Sequence, residues 1–176
     1  MRARLNSEHG FGLIELLMAM VMLNIGILAV VASFNSGIFA LNRASRISTA
    51  SALADSQMEL YRAITYSSIA LDATSLASTD NTYKCDAALG ASCPNSTAGE
   101  PTTSCAGSPL PNECLPSRTA TGADRKQYRV DTYVTSSTPP NGRALKLVTV
   151  VVRDATKLSA RPLARVSSTF DQSTAS

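Results

Sequence analysis

Few side chains in this sequence of 176 residues could take part in chemistry, and most of them stand alone. Glu15 is a single carboxylate at the start of a long apolar run, and His9 is the only histidine. Because that histidine lies in the short N-terminal segment ahead of the apolar run, no Ser–His–Asp set is possible, and the sequence contains neither a metal-ligand cluster nor a phosphate-binding loop. We expect no catalytic residue, no metal, no cofactor and no enzymatic activity.

The apolar run after Glu15 carries no further charge before Arg43. A helix rises about 1.5 Å per residue, so a run of about 27 residues exceeds the roughly 30 Å of a hydrocarbon core. A carboxylate in the first turn of such a segment is costly unless it has a partner. The run predicts a single membrane-spanning helix, and the carboxylate predicts a functional residue.

The segment 1–10 precedes this run and carries Arg2 and Arg4 against Glu8. Positive charge before a first membrane span keeps that end in the cytoplasm and exports the C-terminal part. We therefore interpret 1–10 as a cytoplasmic leader. The net charge of +3 is too small and too scattered to indicate specific nucleic-acid binding.

Residues 10–17 read GFGLIELL, and together with the short basic leader and the apolar helix they resemble the processing site of type IV prepilins and of the related pseudopilins of type II secretion. In that family a membrane peptidase cuts after the glycine that matches Gly10 and then N-methylates the new terminal residue, here Phe11. The resemblance implies four partners: the prepilin peptidase/methyltransferase, inner-membrane lipid, an inner-membrane assembly platform and other pilin subunits.

Cleavage after Gly10 gives the motif a physical meaning. It exposes an α-amino group with a pKa of about 8 at Phe11, which is largely cationic at neutral pH. Glu15 lies on the same helical face, near the positive end of the helix dipole. In lipid the two charges attract each other, and the amine of a neighbouring subunit would serve as well. We expect Glu15 to align each incoming subunit during assembly.

Two features distinguish the chain within this resemblance. Gly12 stands where the family more often has threonine, and no proline interrupts the helix through Leu60, whereas many major pilins carry one. The patterns at 23–30 and 52–60 resemble minor pilins called pilus-modification proteins and the minor pseudopilin similar to them. The resemblance implies a minor subunit of a type IV pilus, with a minor pseudopilin of type II secretion as the alternative.

Other classes of protein remain as alternatives. Val30-Val31-Ala32 before Ser33 could serve as a signal-peptidase site and would make the chain an exported surface binding protein. A single-span sensor or enzyme that keeps its N-terminus is the third class. As a pilin, the chain would lie in the inner membrane as a single-pass protein, and then in a cell-surface pilus or a periplasmic pseudopilus.

The helix should continue beyond a membrane half at 11–42 into an amphipathic half at 43–66. Apolar residues recur there at helical spacing: Ile47, Ala50, Leu53, Ala54, Met58, Tyr61 and Ile64. This stripe predicts packing on an exported body.

The segment 67–124 is rich in small and polar residues and reads as a long loop region. It contains all four cysteines, Cys85, Cys93, Cys105 and Cys114, on the exported side. Two disulfides are expected, with three possible connectivities, and the low cost of closing short loops favours Cys85–Cys93 with Cys105–Cys114. A zinc site of four thiolates is the alternative, although no CxxC pair occurs.

The segment 125–170 carries strand patterns and precedes a polar tail at 171–176. Alternation at 128–134, a β-branched run at 145–153 and alternation at 163–170 predict three strands, with a turn at 139–142. The expected fold is α+β: a long N-terminal transmembrane-to-soluble helix packed on a C-terminal antiparallel sheet, as in pilins.

Overall fold

The structure is a computed structural model, and it describes residues 12–90, 93–97, 99–140 and 142–172. Gly10 and Phe11 lie outside the described residues. Three α-helices and six strands occur in the described part of the chain: α1 (Leu13–Arg62), β1 (Leu71–Asp72), α2 (Ala73–Ala77), α3 (Asn81–Lys84), β2 (Thr102–Thr103), β3 (Ser117–Thr121), β4 (Gln127–Ser137), β5 (Leu145–Asp154) and β6 (Ala164–Phe170). Short 3₁₀ helices occupy Tyr66–Ser68 and Ala87–Leu89.

The predicted long helix is confirmed as α1, which runs without a break for 50 residues. Alanine, leucine and methionine favour it, and no proline interrupts it. Glu15 in the first turn and Arg62 in the last turn both suit the helix dipole. The chain divides into two compact units between Arg43 and Ala44, so this one helix contributes to both units.

In the second unit α1 packs on an antiparallel sheet with the strand order β3-β4-β5-β6. The register places Val130 opposite Val152 and Val150 opposite Val166, so the valines of neighbouring strands meet on one face. The core formed there contains Ala50, Ala54, Met58 and Tyr61 of the helix with Val130, Val134, Val148 and Val150 of the sheet. The α+β fold is confirmed.

The sheet has four strands where the sequence predicted three. β3 reads SRTAT, which has no alternation of apolar and polar residues, and it lies at an edge of the sheet. Its position is fixed instead by the ladder with β4, from Ser117 opposite Asp131 to Thr121 opposite Gln127.

The second face of the sheet is also covered, which differs from the half-buried strand expected at 128–134. Arg129, Asp131 and Tyr133 are buried together with the residues that alternate with them. The cover consists of the short helices that follow α1, where the sequence indicated an irregular loop. Three of them, α2, α3 and the 3₁₀ helix Ala87–Leu89, begin at an aspartate: the side chains of Asp72, Asp80 and Asp86 accept the amides of Ser75, Tyr83 and Ala88.

Candidate processing and assembly site

Glu15 lies in the first turn of α1, close to the end of the described chain. The carbonyl oxygen of Gly12 accepts the amide of Glu15 at 2.9 Å and that of Leu16 at 3.2 Å, so Gly12 forms the start of the helix. The Glu15 residue is exposed, and among the described residues its carboxylate forms no ion pair. A carboxylate without an ion-pair partner among the described residues can bind a cation supplied by another group.

The apolar segment around and beyond Glu15 is exposed in the part of the chain that the structure describes. Its large side chains, from Leu13 to Leu41, are between 50 and 78% exposed. An 18-residue window of α1 reaches a mean hydropathy of 2.4, and none of it is buried. Because so many exposed apolar side chains are unfavourable in water, this segment requires lipid or other helices around it.

The second half of α1 is tied to the region of the second disulfide by buried polar groups. Gln57 is 1% exposed, and its amide nitrogen donates to the carbonyl of Asn112 at 3.0 Å. The Nε of Arg118 donates to the Gln57 carbonyl oxygen at 3.0 Å. The hydroxyl of Tyr61 donates to the carbonyl of Glu113 at 2.6 Å. These bonds fix both the rotation of the helix and the segment before β3.

The opposite face of the sheet holds a ladder of alternating charges, which we call the ionic ladder. Its members, in order, are Asp80, Arg129, Asp131, Arg153, Asp86 and Arg165. Asp131 is fully buried and accepts Arg129 Nε at 2.7 Å on one oxygen and Arg153 NH1 at 2.9 Å on the other. The ladder joins the short helices to β4, β5 and β6.

Charge pairing in the ionic ladder favours the ionised carboxylates. The Arg129 guanidinium lowers the pKa of Asp80 to about 2, although burial acts in the opposite direction. Burial raises the pKa of Asp86, but the Ala88 amide and the guanidinium groups of Arg165 and Arg153 outweigh it and hold that pKa below its usual range. Buried charges of this kind persist because each one has an opposite partner.

All four cysteines are paired in the structure: Cys85 with Cys93, and Cys105 with Cys114. The expectation of two disulfides is therefore confirmed. The first bridge follows α3 directly, next to Asp86 of the ionic ladder. The second bridge closes the segment whose carbonyl groups accept Gln57 and Tyr61. Each disulfide thus stabilises a segment that contacts the sheet or the helix.

The described residues offer little for catalysis. Among them, no group of three or more His, Cys, Asp or Glu side chains could hold a metal ion. A groove of about 540 Å³ is lined by hydroxyl groups that include Ser75, Ser78 and Thr79, together with Arg129. Neither lysine nor histidine is among the described residues that line it, and its one carboxylate, Asp80, is paired with Arg129.

The comparisons with known proteins address the N-terminal segment. Residues 5–31 match the family described as Prokaryotic N-terminal methylation motif. The match is the signature of type IV prepilins and pseudopilins, so the N-terminal part of the chain is of the pilin or pseudopilin type. The motif implies processing by a prepilin peptidase, assembly with other pilins and a single-pass membrane anchor. It indicates a structural subunit rather than an enzyme.

No curated protein and no solved structure matches the chain.

Glu15 and the cysteines were identified as candidate functional residues from the sequence, whereas the ionic ladder and the buried Gln57 were not. The arginines and aspartates of the ladder lie far apart in the sequence, and nothing in their local spacing indicates that they meet. One signal was present, because Arg129 and Asp131 stand on either side of Val130 in a strand, where alternate residues share a face.

Proposed function

We propose that the protein is a minor structural subunit of a type IV pilus, stored in the inner membrane and assembled by helix packing. In this proposal the leader 1–10 is removed after Gly10 and Phe11 is N-methylated. Residues 11–42 then form the membrane half of the helix and 43–66 its soluble half. The observation that carries the proposal is the exposed, uncharged helix that follows Glu15 directly inside a methylation motif.

Glu15 has the central role in assembly. The carboxylate is exposed at the start of α1 and lacks an ion-pair partner among the described residues. A cationic N-terminus on a neighbouring subunit would neutralise it, and the attraction is strong in a medium of low dielectric constant. The exposed apolar side chains beyond it would then pack against the helices of neighbours as lipid is displaced.

The disulfide-bonded body favours a pilus over a secretion pseudopilus. Two bridges within residues 85–114 stabilise a polar surface that suits exposure outside the cell. A minor pseudopilin of type II secretion is the second candidate, because the same motif and helix serve both machines. Fractionation distinguishes them: a pilus subunit is recovered with surface fibres after shearing, whereas a pseudopilin stays with the envelope.

The first experiment is the mass and N-terminal sequence of the protein purified from its native membrane. We expect a chain that begins with N-methylated Phe11. A chain that begins at Ser33 would be the product of ordinary signal peptidase, and an intact Met1 would indicate a plain membrane anchor. Either of these two results overturns the proposal.

The second experiment tests the alignment role with Glu15→Ala. We expect this variant to be cleaved normally and to be lost from assembled fibres. Glu59→Gln is a matched control, because it removes an exposed carboxylate from the same helix in its soluble half. Normal incorporation of the Glu15→Ala variant contradicts the alignment role and leaves the processing proposal intact.

A further inference from the structure

Glu100 is a buried carboxyl group beside β4, outside the ionic ladder. The residue is 6% exposed. Its Oε1 accepts the amide of Val134 at 3.2 Å and lies 3.0 Å from the hydroxyl oxygen of Tyr83. Its other oxygen, Oε2, is buried without a hydrogen-bond partner among the described residues. A charged carboxylate in such a place is strongly unfavourable.

The edge of β4 is open at this point because β3 is short. The paired residues begin with Ser117 opposite Asp131, and the Thr132 amide still donates to the carbonyl of Pro116 at 2.8 Å. Pro116 has no N–H group with which to return a bond to the carbonyl of Thr132. The hydroxyl of Tyr83 meets that carbonyl instead, at 2.7 Å. Side chains thus complete the ladder that β3 leaves unfinished.

The hydrogen-bond donors available at this site favour a neutral Glu100. The hydroxyl of Tyr83 carries one hydrogen and faces two acceptors, the Thr132 carbonyl oxygen and Glu100 Oε1. The carbonyl has no hydrogen of its own and is the nearer of the two, so Tyr83 donates to it. Glu100 Oε1 therefore receives at most a share of the Tyr83 hydrogen, and this weak bond does little to stabilise a charged carboxylate whose other oxygen has no partner among the described residues.

Among the described residues no cation forms an ion pair with Glu100. The groups that face Glu100 are Tyr83 from α3 and the Val134 amide from β4, with Tyr133 stacked on Tyr83 at 4.3 Å between ring centroids. The next charged group on that face is Asp131, whose negative charge is matched within the ionic ladder. Burial raises the pKa of Glu100 to about 7, although the Val134 amide and Tyr83 act in the opposite direction.

We propose that Glu100 is a protonation-controlled latch. While its carboxyl group is neutral, Glu100 stays bound to the Val134 amide and keeps the segment that contains Glu100 on the open edge of β4. When the carboxyl group ionises, this segment leaves the edge. The latch is independent of which pilus or secretion machine the chain joins.

The sign of the effect follows from proton linkage. The folded state binds this proton more tightly than an opened state, in which the carboxyl group has its ordinary pKa of 4.5. The latch is fully effective below that value and weakens as the pH rises. The equilibrium constant for opening should increase about tenfold per pH unit between pH 4.5 and pH 7 and stay constant above pH 7. The total increase is up to about 300-fold.

The test measures hydrogen exchange at the Val134 amide in the full chain in detergent micelles, between pH 4.5 and pH 8.5. Rates are converted to protection factors so that the intrinsic pH dependence of exchange is removed. We expect the protection factor of the unsubstituted protein to fall about tenfold per unit up to pH 7 and then to stay constant. A protection factor that is constant across the range overturns the proposal.

Two variants assign the effect to Glu100. Glu100→Gln has the same shape and a neutral amide at every pH, so its protection factor should not change with pH. Glu113→Gln removes a carboxylate of the same region and should keep the profile of the unsubstituted chain. A Glu100→Gln variant that keeps the original slope overturns the proposal.

A direct titration covers the case in which Glu100→Gln does not fold. The side-chain carboxyl carbons of the unsubstituted chain, labelled at glutamate, are followed by NMR as a function of pH. One glutamate should titrate near pH 7, and its transition should coincide with the loss of protection at Val134. If no glutamate titrates near pH 7, the proposal is overturned.

Discussion

Asp131 offers the sharpest test of what stabilises the second compact unit. It is fully buried, and each of its oxygens accepts a different guanidinium, Arg129 at 2.7 Å and Arg153 at 2.9 Å. Asp131→Asn keeps the volume of the side chain but leaves only one acceptor oxygen. Its amide group then faces the second arginine, donor against donor, and that buried guanidinium loses one of its two carboxylate partners.

The magnitude follows from the burial of these groups. Removing one partner of a buried ion pair costs about 3–5 kcal/mol, because the remaining charge stays desolvated. A domain of this size is stable by about 5–15 kcal/mol in total, so the loss is a large fraction of the whole. For a body of this length we expect the melting temperature to fall by about 10–20 °C.

The assay is urea unfolding of the full chain in detergent, followed by the near-ultraviolet circular dichroism of its tyrosines. Asp55→Asn is the matched control, because Asp55 is an exposed aspartate on α1 and the substitution makes the same chemical change. If the two variants unfold within about 1 kcal/mol of each other, the ionic ladder does not stabilise the body as we argue.

Two further substitutions test the packing of α1 on the sheet. A Cβ atom at Gly122 would lie 2.5 Å from Thr49 Cγ2, so Gly122→Ala should lower the free energy of unfolding by about 1–3 kcal/mol through overpacking. A Cβ atom at Gly99 would meet nothing within 4 Å, so Gly99→Ala should have little effect in the same urea assay. Tyr61→Phe removes the hydroxyl that donates to the Glu113 carbonyl and should lower the free energy of unfolding by about 1–3 kcal/mol; an unchanged midpoint would show that this bond contributes nothing net.

The parts of the fold that the sequence predicted are those with strong local patterns. The uncharged run after Glu15 and the amphipathic stripe beyond Arg43 predicted α1, because an apolar pattern sustained over so long a segment is typical of a helix. The β-branched run 145–153 predicted β5, because such residues fit the pleated surface of a sheet. The antiparallel sheet and the α+β class followed from these elements.

The parts that could not be predicted depend on contacts between distant residues. β3 lacks apolar alternation, and its place depends on pairing with β4. The short helices over the second face are each too short to be stable alone, and an aspartate cap and tertiary contacts hold them. The contacts that Glu100 and Gln57 form depend on the burial of their side chains, and neither residue type indicates burial from the sequence alone.

At the N-terminal end the sequence is more informative than the structure. The motif at residues 5–31 was recognisable from the sequence because a short pattern of residue types specifies it. The structure describes Glu15 but not Gly10 or Phe11, so the site of cleavage and methylation stays a prediction from the motif.

The open edge of β4 beyond Pro116 has a consequence for how the chain reaches its final compartment. An unpaired strand edge invites pairing with other chains. If the body is exported as proposed, starting from its N-terminal end, Tyr83 and Glu100 cross the membrane before β4 does. Tyr83 and Glu100 are therefore already across the membrane when β4 arrives. Only the strands β5 and β6, which follow directly, remain to be translocated. The order of residues along the chain thus shortens the time for which a newly exported strand could aggregate.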